Sequence, residues 1–373
     1  MNGNTNLARS VLVATLAMLL LSSLMALPGC SPEGQEVMRV QYRWGPARDA
    51  TISWSHQEIG FPVNSKGGIG TLYSISAADA EHVWAVGNGG EIDALENGTW
   101  KQSFVTKPND FLFSVSALDR SHVWAVGFNE REQYAAIWFF DGTSWRQQAA
   151  GEFKGVTLNS VYALGSRHVW AVGKGGTILF FDGSSWTRQT SDTNVELRSV
   201  SAVNPSQVWA TGIDETGGKS ALLYYDGTSW KNRDPGNGLS FGTISAIDAS
   251  QVWAIGGNRN QPGSSGVYCF DGSHWVLSLQ EAPEFVPTTV YPIASNNILV
   301  PGMSYAPGGP YCEIALFNGR SWNIQQAGVE PGYGFDAITA ADPSHLWAVG
   351  RDMVPTASVV SRPSEIYFGT NQH

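Results

Sequence analysis

The stretch His168–Trp186, HVWAVGKGGTILFFDGSSW, decides the fold of this chain. It contains an apolar run, a tight turn with adjacent glycines, a second apolar run, an Asp-Gly turn and a tryptophan. Short apolar runs separated by glycine turns are typical of β-strands joined as hairpins. The stretch therefore predicts consecutive antiparallel strands.

Near-copies of this stretch recur along most of the chain. Counterparts of its first tryptophan are Trp84, Trp124, Trp209, Trp253 and Trp347, with Leu299 in one repeat, and counterparts of its second are Trp54, Trp100, Trp145, Trp230, Trp275 and Trp322. Neighbouring copies of the first position lie 39 (Trp170 to Trp209) to 48 residues (Leu299 to Trp347) apart. This period matches a propeller blade of four strands. Tryptophan is thus predicted to be a framework residue.

Each repeat divides into strands A to D. Strand A resembles Leu158–Leu164, strand B is VWAVG, strand C resembles Thr177–Phe181, and strand D carries the second tryptophan, here Trp186. Strand C is apolar on both faces, as expected for a sheet packed between two neighbours. Asp182-Gly183 is expected to form the C–D hairpin turn, since glycine tolerates a positive φ.

The two ends of the chain predict how the ring closes. Trp54 has no strands A to C before it, so its segment is predicted to be a lone strand D. The last repeat has strand A (Phe335–Ala340), strand B (His345–Gly350) and strand C (Glu365–Phe368) but no second tryptophan. Joining both ends in one sheet would remove an open edge. The fold class is therefore predicted as all-β, a seven-bladed propeller closed by an N-terminal strand that completes the last blade. A six-bladed ring is the alternative, because the Leu299 repeat is degenerate.

The VWAVG…DGTSW pattern resembles bacterial secreted propellers that are loosely grouped with kelch-like and Asp-box repeats, and it also resembles photosystem II assembly factor propellers. The Asp-box of sialidases reads S-x-D-x-G-x-T-W, whereas glycine directly follows aspartate in Asp141–Trp145. Asn97 and Asn318 replace the aspartate in two repeats. The resemblance therefore implies a fold rather than a function.

The N-terminus predicts a targeting segment. Residues 1–29 carry the apolar core Ser10–Leu24, which is too short for a usual membrane span, and Leu27–Cys30 reads LPGC. This ending resembles the lipobox of bacterial lipoproteins, which implies that Cys30 is lipidated. The predicted organisation is a signal peptide (1–29), a lipidated cysteine with its tether (30–48) and a propeller (49–373). The location implied is the bacterial cell envelope, extracytoplasmic and lipid-anchored at the outer membrane or cell surface. A plain secretory leader is the alternative.

Composition excludes several classes of function. The net charge of −10 argues against nonspecific nucleic-acid binding, which needs a basic face to displace counterions from phosphates. No C-x-x-C, H-E-x-x-H or P-loop spacing occurs, so no metal site and no cofactor are predicted. The Asp214–Lys219 loop lacks the alternating carboxylates and the terminal glutamate of an EF-hand, and weak Ca²⁺ binding there through backbone carbonyls stays open.

No catalytic residue is predicted. Asp119, Ser121 and His122 have the residue types of a nucleophilic triad, but they are crowded into one turn, and Asp342 to His345 repeats the arrangement. We expect these residues to tie the A–B turn to the blade. Cys269 and Cys312 are expected to point to equivalent faces of neighbouring sheets, so two buried thiols are preferred over a disulfide between them.

The B–C loops are where the repeats differ most. Two blades have a minimal N-G-G or K-G-G turn, whereas the others carry dissimilar insertions. Repeat proteins usually bind ligands through such departures from their consensus. The binding residues predicted on this face, which the B–C and D–A loops form, are Glu130, Arg131, Tyr134, Asp214, Lys219, Arg259, Asn260, Tyr305, Tyr311, Arg351 and Asp352.

Two functions follow from these expectations. The preferred one is a non-catalytic envelope lipoprotein, held to the membrane by lipid on Cys30, whose propeller binds or scaffolds a partner protein through this face. The alternative is a glycan-binding or sialidase-like propeller. A sialidase would need Arg131, Arg259 and Arg351 to converge on the substrate carboxylate.

Overall fold

The repeats form seven antiparallel sheets arranged as the blades of a propeller in the computed structural model. The structure describes residues 52–57, 71–107, 109–214, 219–258, 260–261, 263–281, 285–305, 310–352 and 365–371. Residues 1–51, with Cys30 and the predicted signal peptide and tether, lie outside this part. Within the described part, no helix is long and apolar enough to cross a membrane.

The strand bounds follow the predicted repeats. Blade 1 contains β2 (Leu72–Ala77), β3 (Val83–Gly87), β4 (Glu91–Glu96) and β5 (Thr99–Val105); blade 2 contains β6 (Asp110–Asp119), β7 (His122–Asn129), β8 (Tyr134–Phe140) and β9 (Trp145–Gln147). Blade 3 contains β10 (Leu158–Gly165), β11 (His168–Gly173), β12 (Thr177–Phe181) and β13 (Trp186–Gln189); blade 4 contains β14 (Leu197–Asn204), β15 (Gln207–Ile213), β16 (Ser220–Tyr225) and β17 (Trp230–Asn232). Blade 5 contains β18 (Ser240–Asp248), β19 (Gln251–Gly257), β20 (Gly266–Phe270) and β21 (Trp275–Gln280); blade 6 contains β22 (Val286–Pro287), β23 (Tyr291–Ala294), β24 (Asn297–Ser304), β25 (Tyr311–Phe317) and β26 (Trp322–Gln326). Blade 7 contains β27 (Tyr333–Asp342), β28 (His345–Asp352), β29 (Glu365–Asn371) and β1 (Ile52–Gln57).

The predicted closure is confirmed. β1 pairs with β29, with Trp54 opposite Gly369, and the strand order of blade 7 is β1-β29-β28-β27. The six-bladed alternative is wrong, because the repeat containing Leu299 forms blade 6. The inner strand of that blade is divided into β22 and β23, and each piece contains a proline, Pro287 or Pro292. Proline cannot donate a ladder hydrogen bond, which accounts for a broken strand at the sheet edge.

Both repeated tryptophans join neighbouring blades. Trp124 is fully buried, and its ring centroid lies 4.8 Å from that of Phe139 in its own blade and 6.1 Å from that of Phe181 in the next. At the second position, Trp186 Nε1 donates to Gln148 Oε1 of the preceding blade at 2.7 Å. The tryptophans are therefore framework residues, as the sequence predicts.

Serine hydroxyls join the inner strands around the axis. Ser74 Oγ accepts a hydrogen bond from Val115 N at 3.2 Å, and Ser76 Oγ accepts one from Ala117 N at 3.0 Å. Two equivalent hydrogen bonds link blades 2 and 3. Where blade 7 meets blade 1, Thr339 Oγ1 accepts a hydrogen bond from Ala77 N at 3.1 Å. Each inner strand has one edge whose backbone groups pair with no strand of its own sheet, and these hydroxyls accept hydrogen bonds from some of the N–H groups on that edge.

The cysteines follow the expectation only in part. Cys312 is a free, buried thiol, so Cys269 and Cys312 are not bridged to each other. Cys269 is also buried, but it is disulfide-bonded. The expectation of two free thiols is therefore correct for Cys312 and wrong for Cys269.

Candidate functional site

The propeller has two different faces. The A–B turns, such as 119–122, and the C–D turns, such as 141–144, form one face, which we call the turn face. The B–C loops, such as 130–133, and the D–A loops, such as 190–195, form the opposite face, which we call the loop face.

Asp–His pairs occupy the A–B turns of the turn face. His122 Nδ1 lies 3.0 Å from both carboxylate oxygens of Asp119, and the imidazole stacks on Trp124 with ring centroids 6.2 Å apart. Ser121 Oγ donates to Asp119 Oδ1 at 2.8 Å and lies 3.2 Å from the same Nδ1. A triad would need the serine at Nε2, opposite the carboxylate. His82 pairs with Asp79 in the same way, so this contact within the A–B turn is repeated between blades.

The carboxylates of the C–D turns are also engaged. Asp141 Oδ1 accepts from the backbone N–H groups of Thr143 and Ser144, both at 3.0 Å. These hydrogen bonds hold the pKa of Asp141 below its usual value. Gly142 has φ +91°, and a Cβ there would lie 2.8 Å from Ser121 Cβ, so the C–D turn packs closely on the A–B turn. The turn face is therefore a structural feature repeated around the ring.

On the loop face, a buried polar network holds the B–C loop of blade 2. Asn129 Nδ2 donates to Asp110 Oδ1 at 2.6 Å, and Trp138 Nε1 donates to Asp110 Oδ2 at 3.0 Å. Asn129 Oδ1 in turn accepts from Glu132 N at 2.7 Å. Burial raises the pKa of Asp110, and these hydrogen bonds offset part of that increase. The loop is thus fixed at its base by side chains of the sheet.

The structure distributes the predicted binding residues unevenly. Those with exposed side chains are Glu130, Arg131, Lys219, Asn260, Tyr305 and Arg351. Asp214 and Tyr311 are half-buried, whereas Tyr134 is 3% exposed, and Lys107 Nζ lies 5.4 Å from its ring centroid. Tyr134 therefore supports the loop from inside instead of presenting its ring to a ligand. Arg259 and the side chain of Asp352 lie outside the described part.

A ring of bulged residues, which the sequence did not reveal, surrounds the axis on the loop face. In six blades the pairing of strands A and B shifts near the start of strand A, which leaves one extra residue in strand A. These residues form the bulge ring: Tyr73, Phe113, Asn159, Arg198, Gly242 and Asp336. All six are partly exposed. A bulge changes the direction of a side chain and is common beside functional sites.

The bulge ring is chemically asymmetric. In blades 1 and 2 the rings of Tyr73 and Phe113 have centroids 5.6 Å apart, and Phe111 lies 6.4 Å from Phe113. On the other side of blade 1, Arg351 Nε lies 2.9 Å from Asp336 Oδ2 in blade 7. Burial raises the pKa of Asp336, and the Arg351 guanidinium offsets part of that effect. An aromatic pair thus lies beside an ion pair.

Asn159 of the bulge ring makes polar contacts with the next blade. Asn159 Nδ2 donates to Glu196 Oε1 at 3.0 Å and to Leu197 O at 2.9 Å, which connects blades 3 and 4. Within the described ranges, no group of three or more His, Cys, Asp or Glu side chains could hold a metal ion. Burial also raises the pKa of Cys312 to about 12, so its thiol is not an activated nucleophile.

Comparisons with known proteins agree on the fold. No protein-family model and no curated protein matches the sequence. Among solved structures, YCF48 bound to a D1 peptide aligns with a TM-score of 0.61 and 14% identity, over 87% of this chain and 97% of that chain. The GH74 xyloglucanase from Xanthomonas campestris aligns with a TM-score of 0.55 and 13% identity, over 84% of this chain and 55% of that one. The WD40 propeller domain of Doa1 aligns with a TM-score of 0.54 and 10% identity, over 81% and 93%. At these identities the likeness establishes a WD40-like β-propeller repeat fold.

Proposed function

We propose that this chain is a non-catalytic envelope lipoprotein whose propeller binds a segment of a partner protein on the loop face, centred on the bulge ring. The observation that carries the proposal is the asymmetry of the ring. At this one position of the inner strand, successive blades carry two aromatic rings, an amide and charged groups, whereas the adjacent serines repeat from blade to blade. Variation at one position of a regular scaffold is typical of a binding surface.

The aromatic part of the ring provides the contact for an apolar side chain. Tyr73 and Phe113 are partly exposed. Each lies on an inner strand that a serine hydroxyl joins to the inner strand of the next blade. Aromatic side chains lose little conformational entropy when they bind, and they supply much of the energy of many interfaces. Arg351 and Asp336 next to them would orient a polar group of the partner. A similar protein, YCF48, is known with a bound peptide, which supports this mode of binding.

A glycan ligand is the second candidate, and the exposed pair Tyr73 and Phe113 is the observation that favours it. A sugar ring could stack on such a pair, and a similar propeller belongs to a xyloglucanase. The kelch-like and Asp-box-like grouping of the repeats, supported by the Asp-Gly turns, fits either candidate. We prefer the protein partner because Arg351, one of the three arginines that a sialidase-like site would need, is already paired with Asp336, whose Oδ2 lies 2.9 Å from Arg351 Nε.

Binding can be tested by affinity capture from detergent-extracted envelope. The Tyr73→Ala/Phe113→Ala variant should lose at least tenfold in recovery of a stoichiometric protein partner, because truncation of an interface aromatic typically costs more than about 1 kcal/mol. Thr143→Ala/Thr228→Ala on the turn face is the matched control and should capture the partner normally. Both variants should keep the melting temperature of the wild type within about 4 °C. Unchanged capture by the first variant would exclude the ring, and recovery of polysaccharide without protein would favour the glycan ligand.

The lipid anchor is part of the proposal and has its own test. The sequence has three cysteines and Cys312 is free, so a disulfide at Cys269 leaves Cys30 as its partner and competes with lipidation, because one sulfur cannot form both bonds. The lipidated protein should therefore show two maleimide-reactive thiols after denaturation without reductant, Cys269 and Cys312, and Cys30→Ser should abolish incorporation of labelled fatty acid. A single reactive thiol together with no incorporated lipid would contradict the anchor.

A further inference from the structure

An open polar groove lies on the loop face between blades 3 and 4, away from the bulge ring. Its volume is about 860 Å³. The walls are Gly175 and Gly176 of the B–C turn, the end of β13 with Arg188, the loop 190–195, and Lys219, which directly precedes β16. Blade 3 has one of the two minimal B–C turns, so the space above it is open on this face.

The floor of the groove is held in place by close backbone contacts. Gly176 has φ +68°, and a Cβ there would lie 1.9 Å from Thr193 O, so only glycine allows the turn and the loop to approach. Ser191 Oγ donates to Gly176 O at 2.6 Å and fixes the same approach from the loop side. The groove is therefore a preformed feature of the blade.

The charge of the groove is opposite to that of the whole chain. Arg188, Lys219 and the neighbouring Lys174 are exposed, and none of them forms an ion pair with a described residue, whereas Asp192 is the one acid among the lining residues. Other cations do have carboxylate partners within 4 Å, namely Lys101, Lys107, Arg146, Lys231 and Arg351. The chain as a whole carries a net charge of −10. Around this groove, by contrast, three cations without an ion-pair partner among the described residues create a local positive field.

The groove also offers hydrogen-bond donors and a free strand edge. Gln189 Oε1 accepts from Trp230 Nε1 at 2.7 Å, which leaves the amide N–H₂ of Gln189 as a donor. β13 is the outer strand of its sheet, in the order β10-β11-β12-β13, so its outer edge pairs with no strand of the described part of the chain. An extended peptide can add to such an edge through main-chain hydrogen bonds.

We infer that this groove, lined by Arg188, Gln189 and Lys219 with Lys174 beside it, binds an acidic, extended polypeptide segment. Carboxylates of that segment would pair with Arg188 and Lys219 while its main chain follows the edge of β13. None of the lining residues is aromatic, so the groove offers no ring on which a sugar could stack. This site is independent of the bulge ring, so its failure and the failure of the proposed function can be told apart.

The test uses the full-length, detergent-solubilised chain and fluorescein-labelled probe peptides in fluorescence anisotropy titrations. The acidic probe is an eight-residue peptide of alternating Glu and Ser, and the neutral probe has Gln in place of Glu. Arg188→Gln/Lys219→Gln should weaken binding of the acidic probe at least tenfold and reduce its dependence on salt, since two screened ion pairs are lost. The matched control Lys101→Gln/Arg146→Gln removes the same charge elsewhere and should leave the affinity within twofold.

Two further variants sharpen the result. Asp192→Asn should tighten binding of the acidic probe severalfold, because it removes the one acid that faces the groove. Tyr73→Ala/Phe113→Ala should bind the probe normally, which separates this site from the bulge ring. The inference is overturned if the two probes bind equally, if the double variant in the groove binds like the wild type, or if polygalacturonate binds there more tightly than the peptide.

Discussion

Replacing Asp93 with Asn should stabilise the protein at pH 8 and have little effect at pH 5. Asp93 lies in the middle of β4, is 0% exposed, and neither carboxylate oxygen has a hydrogen-bond partner. Its side chain shares the face of β4 that carries Glu91 and Leu95, and Leu95 packs against Trp347 of blade 7. Burial, together with the charge of Glu91, raises the pKa of Asp93 to about 8.

The magnitude follows from proton linkage. The unfolded chain titrates near the ordinary value of 3.8, so between that pH and about 8 the folded protein holds a proton that the unfolded chain has released. Stability then falls by about 1.4 kcal/mol for each pH unit. The contribution of the protonated acid is fully present below pH 3.8 and is lost as the pH rises through about 8. From pH 5 to pH 8 the wild type should lose about 3 to 4 kcal/mol that the Asp93→Asn variant, which has no titrating group at this position, does not lose.

The assay is urea unfolding at pH 5, 6, 7 and 8, followed by tryptophan fluorescence. The difference in unfolding free energy between Asp93→Asn and the wild type should increase with pH, whereas the exposed control Glu152→Gln should differ from the wild type by less than about 0.5 kcal/mol at every pH. Comparing variants removes the pH dependence that all of them share. Parallel pH curves for Asp93→Asn and the wild type would refute the account of Asp93 as a buried neutral acid.

Two further substitutions test the contacts that hold the ring and the groove. Ser76→Ala removes the acceptor of the Ala117 N–H and should lower the unfolding free energy by about 1 to 3 kcal/mol in the same assay; a loss below about 0.5 kcal/mol would contradict a structural role for the hydroxyl. Gly176→Ala places a methyl group against Thr193 O and should cost at least about 2 kcal/mol. Gly175 is the control, because it has φ +65° and no atom lies within 4 Å of a Cβ there, so alanine should cost only about 1 kcal/mol. Equal melting temperatures of Gly176→Ala and Gly175→Ala would contradict the role of the contact with Thr193 O.

The architecture could be predicted from sequence because each blade repeats the same local instructions. The VWAVG run and the Asp-Gly turn specify a hairpin in every copy, and the lone Trp54 segment indicates how the ring closes. Blade 6 was harder to predict, since Leu299 replaces the first tryptophan and prolines divide the inner strand. There the packing of neighbouring blades, rather than the local pattern, sustains the sheet: Val300 and Phe317 share a buried cluster with Trp253 of blade 5.

The site was only partly predictable, for reasons that lie in strand pairing. Long B–C loops stand out as departures from a repeat, and the sequence therefore predicted the loop face as the binding face. It did not show that β8 begins at Tyr134, whose ring points inward. The bulge at Tyr73 depends on the register between two strands, which a single strand does not encode. One feature of the sequence could have indicated these bulges: the position of Tyr73, directly before Ser74, holds a different residue type in each of the six bulged blades, while Leu72 and its counterparts stay apolar.

The topology of β1 also relates both proposed sites to a membrane anchor. β1 begins at Ile52, which pairs with Asn371 at the end of β29, so the chain enters blade 7 from the turn face. If Cys30 carries the lipid, it lies 22 positions (52 − 30) before the first residue of β1, and this length of chain spans at most about 80 Å. The uniform turn face is then the one nearest the point of attachment, and the bulge ring and the groove both lie on the opposite face. If the turn face lies toward the membrane, a partner that approaches from the aqueous side meets either site without rotation of the ring.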